Sequence, residues 1–248
     1  MDGLRDTAEQ RLRQELAACY RIFDHLGWTE LIYNHITLRL PGPEHRFLIN
    51  PFGLHYSEVT ASNLVTVDLE GRVIGESRWG VNPAGFVIHG AIHGAIEAAQ
   101  CVMHTHTTAG SAVACKRHGL STTNFYAAML HGQVAYHDFE GITVNLEERA
   151  RLLASMGDKR LMILRNHGLL AWGESVPEAF VRLWTLNRAC EIQLASESMR
   201  GEDIPVPDHV AEQASRAALQ FDPRFGAGRD VFDALRRLVD AKDPSYRE

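Results

Sequence analysis

The sequence predicts an α/β fold, with helices layered on a mixed sheet. Short apolar runs of strand length recur, among them Ile36-Thr37-Leu38-Arg39-Leu40, Leu64-Val65-Thr66-Val67 and Leu161-Met162-Ile163-Leu164. Stretches with apolar residues at helical spacing lie between them, such as Leu12, Leu16, Cys19, Phe23 and Leu26. Glycine, proline and asparagine punctuate both kinds, and no repeat or low-complexity linker divides the chain. One domain is therefore expected over residues 1–200, with a helical extension over 201–248 packing on it.

Thr7-Ala8-Glu9-Gln10 fits a capping box opening the first helix, and Gly27 is its stop. His25 falls near its end, where a cationic or capping role fits. Ile36, Leu38 and Leu40 then alternate with Thr37 and Arg39, as in a half-buried strand. Pro41-Gly42-Pro43-Glu44 turns it into Phe47-Leu48-Ile49, and Asn50-Pro51-Phe52-Gly53 breaks that partner. A helical turn within Ser57 to Asn63 leads to the strand at Leu64, and Glu70-Gly71 turns into Val73-Ile74. Antiparallel hairpins thus dominate the first third.

Asn82 and Pro83 read as cap and first residue of a helix to Ala99, with Phe86, His89, His93 and Ile96 at helical spacing. Helices are expected over Thr108 to Lys116 and Asn124 to Leu130, then a strand at Val134-Ala135-Tyr136. Asn145 opens a helix ending near Gly157. Leu161 to Leu164 and Leu169 to Trp172 are strands joined through Asn166-His167-Gly168, and Ser175-Val176-Pro177-Glu178 starts a long helix to Met199. Val210 to Phe221 and Val231 to Val239 complete the helices.

Composition narrows the function. The net charge of −6 and the absence of a long Lys/Arg cluster argue against a nucleic-acid partner. Neither a signal core at the N-terminus nor an apolar run of membrane-spanning length occurs, so no membrane association is expected. Cys19, Cys101, Cys115 and Cys190 are scattered without a CxxC pair, as in a reduced, cytoplasmic compartment.

The chemistry concentrates at Cys101-Val102-Met103-His104-Thr105-His106. Side chains alternate along a strand, so His104 and His106 project from one face. His167, just beyond a second apolar run, supplies a third nitrogen if the two strands are neighbours. Three protein ligands leave a coordination position open, as in catalytic metal sites. The pattern alone leaves metal ligands and ordinary histidines both open in a chain with 13 of them.

Several longer stretches carry a resemblance. They are Gly27-Trp28-Thr29-Glu30-Leu31-Ile32-Tyr33-Asn34-His35-Ile36-Thr37, Asn50-Pro51-Phe52-Gly53 and Tyr56-Ser57-Glu58-Val59-Thr60-Ala61-Ser62. Val134-Ala135-Tyr136-His137-Asp138 and Leu164-Arg165-Asn166-His167-Gly168-Leu169 extend the set. From about Leu12 to Met199 the chain resembles the class II aldolase/adducin family, and most of all its adducin-head branch. The resemblance implies a three-layer α/β/α fold with a mostly antiparallel central sheet. It also implies a homotetramer with sites at subunit interfaces. Its enzymes bind a divalent metal, commonly zinc, through the positions of His104, His106 and His167; manganese or Fe(II) are the alternatives.

The departures from the family matter equally. Where sugar-phosphate aldolases carry Gly-Asn, Thr-Gly and Ser-Ser for the phosphate, this chain has Tyr33-Asn34, Phe52-Gly53 and Asn82-Pro83. The family's catalytic Glu falls at about Gly85. Asn34, Gly53 and Asn82 remain as candidate substrate-binding residues, and His89, His137 and Tyr126 as candidate proton-transfer groups. The expected function is metal-dependent aldol cleavage or decarboxylation of a small non-phosphorylated carbonyl or carboxylate compound. Two alternatives stand beside it: an Fe(II) oxygenase on the same histidines, and a non-enzymatic module like the adducin head. Adducins append a Lys-rich tail, which the C-terminal Asp243-Pro244-Ser245-Tyr246-Arg247-Glu248 does not resemble, so actin is not an expected partner.

Overall fold

A computed structural model describes residues 2–141, 147–218 and 227–248. Seven strands form one sheet: β1 (His35–Arg39), β2 (Phe47–Ile49), β3 (Val65–Val67), β4 (Cys101–Thr105), β5 (Val134–His137), β6 (Leu161–Leu164) and β7 (Gly168–Gly173). Their spatial order is β3-β2-β1-β4-β7-β6-β5. β5 and β6 run parallel, and the other pairings among the described strands are antiparallel. The mixed sheet expected from the sequence is therefore present.

Strand parity sorts the sheet into two cores. Ile36, Leu38, Cys101, Met103, Ile163, Leu169 and Ala171 point to one face. There they meet α1 (Asp2–Leu26), α3 (Thr108–Ala114), α4 (Phe125–Met129), α6 (Val176–Ser198) and α8 (Arg229–Lys242). Val102, Met162, Leu164, Leu170 and Trp172 point the other way, against Ile88 and Ile92 of α2 (Pro83–Ala95) and Leu152 and Met156 of α5 (Glu148–Met156). Phe86 of α2 closes a third cluster over Phe47, Ile49, Val65 and Val67. The result is a three-layer α/β/α arrangement. α7 (Asp208–Ala218) packs beside α4, where the Ser215 hydroxyl donates to the His131 carbonyl at 3.0 Å.

The C-terminal segment returns to the first helix. Arg21 on α1 pairs with Asp243 at 2.9 Å, and the carbonyl of the buried Tyr246 accepts from the Ala61 N–H at 2.8 Å. Phe232 of α8 lies edge-on to Phe180 of α6, with centroids 5.9 Å apart.

Several boundaries differ from expectation. α1 already runs from Asp2, so Thr7 lies within the helix rather than at its cap. β1 is buried on both faces rather than one, because α2 covers the side carrying Thr37. Val73 contributes only an isolated bridge to Val67, not a strand. The helical turn expected within Ser57 to Asn63 is a short 3-10 helix over Tyr56–Glu58. α2 stops at Ala95, and α3 stops at Ala114. The expected helix start at Asn145, and the end of the helix expected at Phe221, lie outside the described residues. Among the described residues no helix is long and apolar enough to cross a membrane.

Candidate metal centre

β4 and β7 are neighbours in the sheet, with His104 opposite Leu170 and Thr105 opposite Leu169. That register brings the end of β4 beside the β6–β7 connection, and so His104 and His106 beside His167. The three Nε2 atoms stand 2.7 Å (His104–His106), 2.9 Å (His106–His167) and 3.2 Å (His104–His167) apart. Among the described residues they form the cluster of ligating side chains compact enough for a metal ion.

The His104 ring and the His106 and His167 backbones are each held in place. His104 Nδ1 lies 2.8 Å from the Leu169 carbonyl, which can only accept, so its proton sits on Nδ1 and Nε2 carries the lone pair. The His106 N–H donates to Asn34 Oδ1 at 3.0 Å, and Asn34 Nδ2 donates to the Trp28 carbonyl at 2.7 Å. His167 follows Asn166, which adopts the left-handed conformation at φ 57°. The His167 carbonyl accepts from the Ser111 hydroxyl at 3.0 Å. Gly168 completes the turn, since a Cβ there would lie 2.3 Å from the Thr105 carbonyl oxygen.

The donor set suits a divalent ion. Zinc–nitrogen bonds of about 2.0–2.1 Å at tetrahedral angles place ligand nitrogens roughly 3.3 Å apart, near the longest spacing here. Burial holds His104 well below the ordinary histidine range, with the charges of His106 and His167 adding to the effect. Burial also lowers His106, and it pushes His167 down to about 4. All three are thus neutral near pH 7, the form that ligates. Asn34→Ala is expected to weaken zinc binding about 10–100-fold, as loss of a supporting partner does, with a chelator competition as the readout.

The cluster forms the wall of a cleft of about 490 Å³. Glu30, Tyr33, Asn82, Ile88, Phe139 and Gly141 line it further, with no Lys or Arg among its described lining residues. Gly85 also faces it, at the position where the resemblance places the family's Glu.

The other expected site residues separate. Asn82 lines the cleft, and its carbonyl accepts from the Phe86 N–H at 3.3 Å, as a helix cap does. Asn34 is buried behind His106, its amide engaged by Trp28 and His106. Gly53 is outside the cleft lining. Tyr126 lies on α4 against Trp184, with centroids 5.6 Å apart, on the far face of the sheet. His137 is buried at the end of β5, with Nδ1 3.0 Å from Ser155 Oγ and Nε2 3.5 Å from Glu148. It adjoins a small cavity also lined by His167.

His89 is fully buried and meets the cleft only through His35, whose Nδ1 is 2.9 Å from His89 Nε2. His35 is among the lining residues that sequence reasoning left unassigned. Its place is set by non-local contacts: it pairs with His104 across the β1–β4 ladder, and it shares a strand face with Thr37, which the His89 and His93 rings flank. Burial pushes His93 down to about 3. In the unfolded chain this ring takes up a proton below about pH 6.5, whereas the native ring does not. Stability therefore falls with pH across that window, on the order of 2 kcal/mol between pH 6.5 and 5 for His93 alone. Urea unfolding of metal-free protein at pH 7.5, 6 and 5 checks this.

Fold and cluster together define an α/β/α protein with a tri-histidine site suited to a divalent cation. Residues 14–194 match the family described as the Class II Aldolase and Adducin N-terminal domain, and the chain belongs to that family. A solved aldolase II superfamily protein from Pseudomonas syringae is 43% identical, covers 97% of this chain and 96% of its own, and superposes with a TM-score of 0.90. L-fuculose 1-phosphate aldolase from Glaciozyma antarctica is 29% identical over 98% of this chain and 94% of its own, with a TM-score of 0.84. Alpha-adducin of Rattus norvegicus is 43% identical over 95% of this chain, which spans 34% of that protein's length.

Proposed function

We propose that this protein is a divalent-metal-dependent lyase that breaks a carbon–carbon bond in a small, non-phosphorylated carbonyl or carboxylate compound. The observation that carries this is the convergence of three Nε2 atoms on a cleft whose described lining offers no cationic side chain for a phosphate. A divalent ion held there, zinc in this reading, supplies Lewis acidity toward a substrate oxygen pair. The chain's own residues do the rest. The Leu169 carbonyl fixes the His104 ring and Asn34 anchors the His106 backbone, while Ile88, Tyr33 and Phe139 supply the apolar part of the cleft wall.

The working form in this proposal is a cytoplasmic homotetramer. Support comes from Phe139, a cleft-lining side chain 54% exposed, and from Leu31, 72% exposed and next in sequence to the lining residue Glu30, large apolar groups that a second copy would cover. The test is elemental analysis of protein purified aerobically and anaerobically, followed by a screen of hydroxy and keto acids for cleavage. Near-stoichiometric zinc with metal-dependent turnover supports the lyase. Iron retained only anaerobically, with substrate-dependent oxygen uptake, replaces it with the oxygenase. The 43% identity to alpha-adducin favours a second reading, a non-catalytic interaction module. A folded oligomer without metal or turnover would establish that one.

A further inference from the structure

Behind the cleft a row of buried polar groups crosses from β1 to α2. His93 Nδ1 lies 2.8 Å from the Ala99 carbonyl, which accepts only, so the His93 proton is on Nδ1. His93 Nε2 is then an acceptor, and the Thr37 hydroxyl donates to it at 2.7 Å. With that proton committed, Thr37 Oγ1 accepts from His89 Nδ1 at 2.8 Å. His89 Nε2 in turn accepts from His35 Nδ1 at 2.9 Å. His35 and His89 are both buried, and each contact in the row holds a single proton between two heavy atoms 2.7–2.9 Å apart.

The row ends with a defined polarity. His35 has its proton on Nδ1 and its lone pair on Nε2, and among the described residues Nε2 has no hydrogen-bond partner. Its position depends on Gly85: a Cβ there would lie 2.4 Å from His35 Cδ2 and 2.6 Å from Nε2. Both residues line the cleft beside His104. An acceptor fixed at a cleft wall, with no protein donor among the described residues, favours ligands that bring a donor over those that do not.

We propose that His35 is a substrate-recognition residue whose Nε2 accepts a hydrogen bond from a hydroxyl of the bound compound. The cleft thereby selects a hydroxylated small molecule, such as a hydroxy acid, over its ether counterpart. Thr37, His89 and His93 are positioning residues that set the His35 tautomer. The proposal rests on the cleft being the substrate site.

Long-range proton–nitrogen NMR of metal-free protein tests the row directly. Nδ1–H tautomers are expected for His35, His89 and His93; an Nε2–H on His35 would overturn the proposal. Thr37→Val, which keeps the shape and removes the hydroxyl, is expected to abolish the single tautomer at His89 and His35. Calorimetry on zinc-loaded protein then compares glycolate with methoxyacetate, which keeps all three oxygens but has no hydroxyl proton. Wild type is expected to prefer glycolate about tenfold, the scale of one such hydrogen bond, and His35→Phe to lose that preference while binding methoxyacetate as before. Equal binding of the two acids by wild type, or an undiminished preference in His35→Phe, sinks the recognition role alone. If zinc-loaded wild type binds neither acid, the substrate-site reading fails and takes this role with it.

Discussion

His106→Ala is expected to yield a folded protein that no longer retains metal. The ring is only partly buried, and its Nε2 contacts are to the other two histidines of the cluster. Removing it therefore costs the fold little, about 0.5 kcal/mol or less as for a surface change. It leaves His104 and His167 as a two-nitrogen site. Loss of a supporting residue costs about 10–100-fold in affinity, and loss of a ligand should exceed that, with turnover falling in step. Elemental analysis after dialysis, alongside a thermal melt of metal-free protein, separates the outcomes. Full metal content in a folded variant would show that the ion is held elsewhere.

Gly168→Ala is expected to damage stability and site together. The added Cβ would lie 2.3 Å from the Thr105 carbonyl oxygen and 3.2 Å from both His104 Cε1 and His106 Cδ2. The first neighbour is backbone in β4, a central strand, and cannot swing aside. Overpacking of this kind costs about 1–3 kcal/mol, which for a chain of this size lowers Tm by roughly 2–12 °C. Any relief moves β7 away from β4 and opens the spacing between His167 and the other two rings. Reduced zinc affinity should accompany the lower Tm; a variant with both unchanged would mean the close approach is not maintained in solution.

The sheet was legible because its central strands are written as apolar runs, and each run at β4, β6 and β7 proved to be a strand. The His104–His106 pair was legible for a local reason, its period-two spacing, whereas joining His167 to it needed the family resemblance and the pairing of β4 with β7. What escaped was non-local. Thr37 reads as a solvent-facing position in an alternating strand, yet it is fully buried because two histidines from α2 satisfy its hydroxyl. Periodicity cannot distinguish a wet polar residue from a paired one. The same crossing hid the place of His35, and it set His89 behind His35 rather than at the cleft wall. The end of α2 was missed for a related reason. Ala98 and Ala99 favour a helix by propensity, but the bond from His93 Nδ1 to the Ala99 carbonyl accompanies a chain already turned toward β4.

The return of the C-terminal segment to α1 bears on the order in which the molecule can be made. Arg21 and Asp243 are separated by 222 residues, and the Ala61 and Ser62 N–H groups wait for the carbonyls of Tyr246 and Glu248. On the ribosome, α1 emerges long before the residues that complete its burial. Until then Leu16, Tyr20 and Phe23 lack part of their final surroundings. Burial of α1 is thus completed only once synthesis has passed Glu248, and nascent chains stopped short of Asp243 should be the species that chaperones hold.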